Sequence, residues 1–351
     1  MKAIVRTSAI SHNLDVMRKL QPGRKIVAVL KADGYGHGLR NVARAAREAD
    51  AFAVSSIEEA LELRAVEEHK PILLLEGFFE ADELPLVERF SLWPVVHCLA
   101  QLEQLAAYGS ELTIWLKVDT GMNRLGFRGS EIPDIVEEIK VSMPHITLRG
   151  IVSHLSSADE PDAPRTQWQY KEFTDLAVAG AELSLSNSGG IFTAPTLPDE
   201  WVRCGIALYG ASPLVGHTAA ELGLRAAMTL ETALISVRAC SRGDLVGYGG
   251  MWECPEDMPV GVVAAGYGDG YPRHTPAGTP VLVGDTYVPI VGRVCMDMFM
   301  VDLRACPGAR IGDRVVLWGD DLSVEEIATS AGSIANELLT GLTPRVPRIL
   351  A

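Results

Sequence analysis

The 351-residue chain is poor in positive charge. Its 31 Lys and Arg stand against 45 Asp and Glu, a net charge of −14. Nucleic-acid binding draws on a basic stripe and counterion release, so nucleic acid is excluded as the main partner. Long hydrophobic runs are also missing: apolar stretches are broken by charge or glycine, and none reaches the ~20 residues a bilayer-crossing helix needs. The opening "MKAIVRTSAISHNL" has neither an apolar core nor a small-residue cleavage site, so no secretory signal is read there. Cysteine is sparse. Cys98, Cys204, Cys240, Cys254, Cys295 and Cys306 form no CxxC and no metal-type spacing. They read as reduced thiols of a cytoplasmic protein, and no metal is expected. Internal repeats and low-complexity segments are absent.

What remains is 48% apolar and 22% charged, enough for two cores. Eight strand-like segments follow one another: "IVAVLK", "AFAVSS", "ILLLEG", "LWPVVHC", "LTIWLKVD", "LRGIVSHL", "ELSLSN" and "RCGIALYG". Helical spacing fills most of the gaps, as in "GLRNVARAAREA" and in "SIEEALELRAVEE", where Ser56 and Glu59 form a capping box. Continuous apolar strands between amphipathic helices predict a parallel sheet buried on both faces. Eight units favour a (β/α)8 barrel over an open doubly wound sheet. After about Leu222 the pattern turns β-rich, with a hairpin expected at Gly284 and Asp285 and one late helix from Ser323. The expected division is a barrel over residues 1–222 and a smaller, mostly β domain over 223–351. Whether "MKAIVRTS" pairs with the barrel or the β domain is undecided by sequence.

Reactive groups in such a barrel sit where strands enter the following loops. "IVAVLKADGYGHG" sends an apolar strand into Lys31. Burying an unpaired ammonium is costly, so Lys31 either snorkels outward or serves as an amine for an aldehyde. Strand five ends "LKVDTGMNRLG", with Lys117, Asp119 and Arg124 at one rim. Strand six carries His154, strand seven ends at Asn187, Ser188 and Gly189, and strand eight holds Arg203, Gly205 and Ile206. The last two loops commonly make a phosphate site. Ser188 offers a hydroxyl, Gly205 and Ile206 backbone N–H groups, and Tyr35 a phenol. An amine for an aldehyde beside a phosphate cradle describes pyridoxal 5′-phosphate. Singly, His154 reads equally well as a core histidine, and Tyr248 in "VGYGG" or Tyr267 in "GYGDGYPR" as a turn residue; the convergence of strand ends is what favours a site.

The segments "AVLKADGYGHG", "LKVDTGMNRLGF", "SHLSSAD", "NSGG", "VRCGIALYG", "VGYGG", "GYGDGYPR", "VGRVCMDM" and "PRVPR" occur in an order that resembles the alanine racemases. The resemblance covers nearly the whole chain. It implies a pyridoxal 5′-phosphate enzyme, a homodimer built head to tail, and interconversion of L- and D-alanine to supply D-alanine for peptidoglycan. By the resemblance, Lys31 is the Schiff-base lysine and one catalytic base, and Tyr248 is the opposing base from the other subunit. Arg203 faces the pyridine nitrogen, His154 orients Arg203 and Tyr248, and Arg124 lies near the cofactor phenol and the substrate carboxylate. Lys117 matches a lysine often carbamylated, a change that relieves its repulsion with Arg124. Tyr35, Asn187, Ser188, Gly205, Ile206 and Asn336 fall at cofactor-binding positions. Met296 offers its backbone N–H to the substrate, Tyr267 and Asp297 form an entrance gate, and Arg273 supports it.

Physical chemistry agrees with two bases. Racemisation takes a proton from one face of a carbon and returns one on the other. Lysine and tyrosine ordinarily hold their protons to about pH 10, so each must be tuned. A cationic neighbour such as His154 or Arg203 is expected to favour a tyrosinate. One position departs from the family: most members carry a tyrosine where this chain has Asn336. A shorter, polar side chain implies a roomier pocket and useful activity on L-serine. The rivals are a fold-related decarboxylase, against which Arg203 speaks, a pyridoxal-phosphate binding protein without a β domain, and a cofactor-free Schiff-base aldolase.

Overall fold

The computed structural model describes residues 1–176, 178–194, 197 and 200–351. Its first strand, β1 (Lys2–Val5), is followed by the barrel strands β2 (Lys25–Val29), β3 (Ala51–Val54), β4 (Ile72–Leu74), β5 (Leu92–Val96) and β6 (Leu112–Asp119). A two-residue β7 (Phe127–Arg128) pairs with β6, and β8 (Ile146–Val152), β9 (Glu182–Ser184) and β10 (Trp201–Cys204) complete the set. The eight barrel strands run parallel in the order β10-β2-β3-β4-β5-β6-β8-β9. Each overlaps a segment read from sequence, the eighth by only Arg203 and Cys204. All four residues of β3 are buried, because the interior covers one face and helices the other.

The ring is nearly closed. Among the described residues β9 and β10 share one bridge, Leu183 to Glu200, reinforced by the Ser184 hydroxyl donating to the Trp201 carbonyl at 2.5 Å and Arg203 N–H donating to the Ser186 carbonyl at 2.9 Å. Two ends differ from expectation. The first strand stops at Val29, so Lys31 stands beyond it. The eighth stops at Cys204, and "IALY" coils into a 3₁₀ turn, Ile206–Tyr209.

The second sheet contains β11 (Met228–Cys240), β14 (Met258–Val263), β15 (Pro280–Val283), β16 (Thr286–Val291), β17 (Phe299–Asp302), β18 (Arg314–Trp318) and β19 (Arg348–Leu350). Between β11 and β14 a separate ribbon forms from β12 (Leu245–Val246) and β13 (Trp252–Glu253). Strand β11 pairs with both β14 and β18, with a register shift on each side, which lets β11-β14-β17-β16-β15-β18 close on itself. The hairpin at Gly284 and Asp285 is present, with Val283 opposite Thr286. The undecided N-terminus belongs here: β1 lies antiparallel to β11 and parallel to β19. The single late helix is instead two, Val324–Ser330 and Ala335–Thr340. Gly332 takes φ +65° and Ser333 N–H returns to the Ala328 carbonyl, a left-handed stop that ends the first helix.

The second of these helices docks on the loop after β2. A Cβ on Gly36 would come within 2.1 Å of the Leu339 carbonyl oxygen, and Gly36 itself has φ +76°. Gly216 has nearly the same φ, +75°, with nothing within 4 Å of such a Cβ. Gly216→Ala is therefore expected to cost only the left-handed backbone penalty, about 1 kcal/mol. Gly36→Ala, which adds the collision, is expected to cost roughly 3 kcal/mol or more. Urea midpoints of the two variants measured side by side check this.

Candidate active site

Lys31 opens a turn of opposite hand to an ordinary helix. Ala32, Asp33 and Gly34 have φ/ψ of 53/54°, 54/45° and 60/48°, and Tyr35 and Gly36 continue with φ 50° and 76°. Left-handed backbone is unfavourable for residues with a Cβ, so the turn needs outside support. Glu59 gives it: one carboxylate oxygen accepts from Ala32 N–H at 2.6 Å, the other from Ser55 N–H at 3.0 Å. The predicted cap on that helix is present, with Ser56 accepting from Glu59 N–H at 3.4 Å, but the Glu59 carboxylate is spent on Ser55 and Ala32. Asp33 accepts from Leu39 N–H at 2.8 Å, and Arg348 Nε donates to the Gly36 carbonyl at 2.9 Å.

The turn carries Tyr35 to the loops after β9 and β10. Its ring stacks on Tyr209 at 4.6 Å. A Cβ on Gly205 would sit 3.0 Å from the Tyr35 hydroxyl and 3.6 Å from the Ser188 hydroxyl, so a larger residue would press on these groups where they converge. Ser188 accepts from Gly205 N–H at 2.8 Å and Ala207 N–H at 3.3 Å, and Ile206 opens the 3₁₀ turn with its N–H ahead of any helical partner. Burial, with Cys204 nearby, pushes Tyr35 up to about 12, so it keeps its proton and donates. Hydroxyl donors and helix-start N–H groups make a set suited to a phosphate.

Behind this set lies Arg203, only 4% exposed. It donates to the Ser184 hydroxyl at 2.5 Å and to the carbonyls of Ser153 at 2.6 Å and Leu185 at 3.1 Å. Burial lowers it to about 10, partly offset by Glu200, and it remains a cation at neutral pH. It also lies 3.3 Å from His154 Nδ1, which must act as acceptor. Asn187 is fixed as the cap of the helix Ser188–Thr193, and its amide lies 3.4 Å from His154 Nε2. Burial first, then Arg203, Lys117, Arg124 and Lys31, hold His154 well below the usual histidine range. His154 is neutral, which corrects the expectation that it supplies a cation to a tyrosinate.

Lys117 keeps part of its surface accessible, yet protein surrounds its ammonium. Burial, then Arg203 and Arg124, lower it to about 7 against an opposing pull from Glu76. Arg124 itself is exposed, so the pair is not two buried cations. A water-sized cavity of about 10 Å³ lies against Lys117, Arg124, Ser153 and His154. Asp119 shapes the loop to Arg124 by accepting from Gly121 and Asn123 N–H.

Two polar residues went unread in the sequence. Glu76, after β4, places a carboxylate oxygen 3.7 Å from Lys31 Nζ. Buried Gln169 accepts from Ser156 N–H and donates to the His154 carbonyl and Thr120 hydroxyl, tying β6 to β8. A strand-end glutamate and a mid-helix glutamine look like solvated residues, so sequence held no signal for either.

The β-domain residues are not enclosed by this mouth. Tyr248 is 71% exposed on the tip between β12 and β13, and Met296 and Tyr267 are exposed. Tyr267 and Met296 do share one surface, since Tyr267 N–H donates to the Cys295 carbonyl and Gly268 N–H to the Met296 carbonyl. Asp297 is paired with Arg345 at 2.8 Å, and Arg273 is exposed.

Two family models, for the alanine racemase N-terminal and C-terminal domains, match residues 5–213 and 227–350. The chain belongs to the alanine racemase family. The alanine racemase of Nitrosococcus oceani is 46% identical over 351 residues and 99% of both chains. That of Vibrio parahaemolyticus is 47% identical over 348 residues, 98% of this chain and 97% of its own. The crystal structure of biosynthetic alanine racemase from Pseudomonas aeruginosa matches with a TM-score of 0.97 at 44% identity, across 100% of this chain and 99% of that one. The broader serine activity drawn from Asn336 is not favoured. Asn336 lies in the helix Ala335–Thr340, where its carbonyl accepts from the Thr340 hydroxyl.

Lys117 gives a pH signature. Its ordinary value, 10.5, lies above its folded value of about 7, so between these limits the unfolded chain binds the extra proton. Stability is therefore expected to rise with pH from about 7 to 10.5. Lys117→Met in the cofactor-free chain is expected to flatten that rise by up to about 1.4 kcal/mol per pH unit. Urea unfolding from pH 7 to 9.5 checks it.

Proposed function

We propose that this chain interconverts L- and D-alanine with pyridoxal 5′-phosphate, as a homodimer in which each site takes its second base from the partner. The observation that carries the reading is the convergence at one barrel mouth of Lys31, the Tyr35 and Ser188 hydroxyls meeting at Gly205, and buried Arg203. What pyridoxal 5′-phosphate supplies when bound is acidification of an amino acid's α-proton. Tyr35, Ser188, Gly205 and Ile206 would hold its phosphate, with Asn187 fixing the loop and Asn336 on the helix above. Arg203 keeps its own proton and so leaves none for a ring nitrogen facing it.

Lys31 takes the α-proton at Nζ on one face, and the partner subunit's Tyr248 returns one from its hydroxyl on the other. Neither base need turn the substrate. Arg124 and the Met296 N–H fit the substrate carboxylate, while Tyr267 and Asp297 border the entrance and Arg273 stands nearby. Exposed Tyr248, Leu245 and Met251 support the dimer reading, since an apolar patch left open by one chain suits a partner. Lys117 is the candidate for carbamylation, in which its neutral amine adds to CO₂ and releases a proton. The six cysteines are free, which supports the cytoplasmic reading.

Chiral chromatography of L-alanine incubated with the purified protein and pyridoxal 5′-phosphate is expected to show racemisation. Lys31→Ala and Tyr248→Phe are each expected to lose at least ~100-fold. Mixing the two variants separates shared from self-contained sites. A mixed dimer has one intact site and one doubly defective site, so random exchange restores about a quarter of the wild-type sites. No recovery on mixing, with exchange verified, rejects the shared site. For Lys117, incubation with ¹³C-bicarbonate is expected to give a carbamate carbon resonance that Lys117→Met removes.

A further inference from the structure

Glu76 is a carboxylate among cations. It follows β4, and its backbone is fixed from the next unit: its carbonyl accepts from His97 Nε2 at 3.1 Å and from Gln101 at 3.4 Å. Gln101 in turn accepts from His97 N–H and donates to the Phe78 carbonyl, so the segment is anchored on both sides. The Glu76 side chain is 31% exposed and that of Lys31 37%. One oxygen is 3.7 Å from Lys31 Nζ; the other is buried and has no hydrogen-bond partner among the described residues. Lys117 and His97 also feel its charge, which opposes the effect of Arg203 and Arg124 on Lys117. A buried carboxylate oxygen without a donor is unfavourable, so nearby positive charge must offset its desolvation.

We propose that Glu76 is a positioning residue for Lys31: its carboxylate holds the ammonium that Lys31 becomes on taking a proton, and keeps that group aimed into the barrel mouth. This rests on the racemase reading for its role in turnover, but the ion pair itself does not. The pairing acts on one base alone, so its removal should burden proton transfer on one face of the substrate. Both enantiomers have the same free energy in water, so kcat/KM must be equal in the two directions for every variant. The asymmetry can appear only in which step limits each direction.

The test uses the full-length chain with Glu76→Gln, which keeps shape and removes charge, and Glu76→Asp, which restores charge. First, acylation of Lys31 by a small amine-reactive ester is followed by peptide mass spectrometry before cofactor is added, with exposed Lys140 as internal standard. Losing the partner releases the Lys31 amine from its 3.7 Å pairing, so Glu76→Gln is expected to label roughly threefold faster, and Glu76→Asp within about twofold of wild type. Second, α-deuterium isotope effects on kcat/KM are measured in the holoenzyme with each alanine enantiomer. Glu76→Gln is expected to raise the effect for one enantiomer only, and Glu76→Asp to return it. Unchanged labelling in Glu76→Gln overturns the ion pair. Changed labelling with isotope effects still matched to wild type for both enantiomers overturns the role in turnover. A wild-type protein that racemises nothing sinks the racemase reading, and the labelling result still decides the ion pair.

Discussion

The left-handed turn from Lys31 to Gly36 is the constraint on which the site rests. Three of its positive-φ residues, Ala32, Asp33 and Tyr35, carry a Cβ, so at about 1–2 kcal/mol each the turn costs roughly 3–6 kcal/mol. That cost is met by groups from both halves of the chain: Glu59 on the Ala32 N–H, Arg348 on the Gly36 carbonyl, and the helix Ala335–Thr340 lying across Gly36. The return is directional. An ordinary strand-to-helix turn would not send Lys31 toward Glu76 and also swing Tyr35 back against Gly205 and Tyr209 within four residues. Amine and phosphate cradle are placed by one strained element, and the β domain is needed to keep it strained.

The second constraint is electrostatic. Lys31, Lys117, Arg124 and Arg203 all act on His154, and with burial they drive it neutral. Arg203 stays charged because its donors are taken by fixed carbonyls and a hydroxyl of the barrel itself. A neutral His154 accepting from Arg203 orients the guanidinium without adding another positive charge. The surplus that remains suits a ligand bringing a phosphate and a carboxylate, and Glu76 tempers it at the lysine end. Desolvation is the first cause of the lowered values at Lys117 and His154, so a filled mouth changes both.

The barrel was legible because its strands are continuous apolar runs, and the hairpin because Gly284 and Asp285 suit a tight turn. Lys31, Tyr35, Ser188, Gly205 and Arg203 were legible as strand-end chemistry, and the structure brings them to one mouth. The left-handed turn was not, since nothing in "KADGY" forbids an ordinary helix start; tertiary partners such as Glu59, 27 residues away, impose it. The split of the late helix hinged on one glycine whose hand only packing decides. His154 was read as cationic because sequence shows the charges near a residue but not its depth. Glu76 was passed over for the same reason.

The barrel mouth and the exposed tip of the β domain are two sides of one thermodynamic problem. The β12–β13 ribbon has two residues in each strand, and such ribbons are marginal in water. Leu245 and Met251 on it are each 65% exposed, an apolar area that gains nothing until it is covered. In the proposed dimer the partner's barrel mouth covers it, so the contacts that order the ribbon also deliver Tyr248 opposite Lys31. Burial of the tip and completion of the site are then the same event. A substitution that loosens the ribbon, such as one at Leu245, is expected to weaken association and proton transfer on the tyrosine face together, while a substitution beneath Lys31 touches only transfer on the lysine face. In that proposed dimer the second base would stand on a neighbour's surface, and an isolated chain would hold Lys31 and the buried Arg203 without an opposing acid.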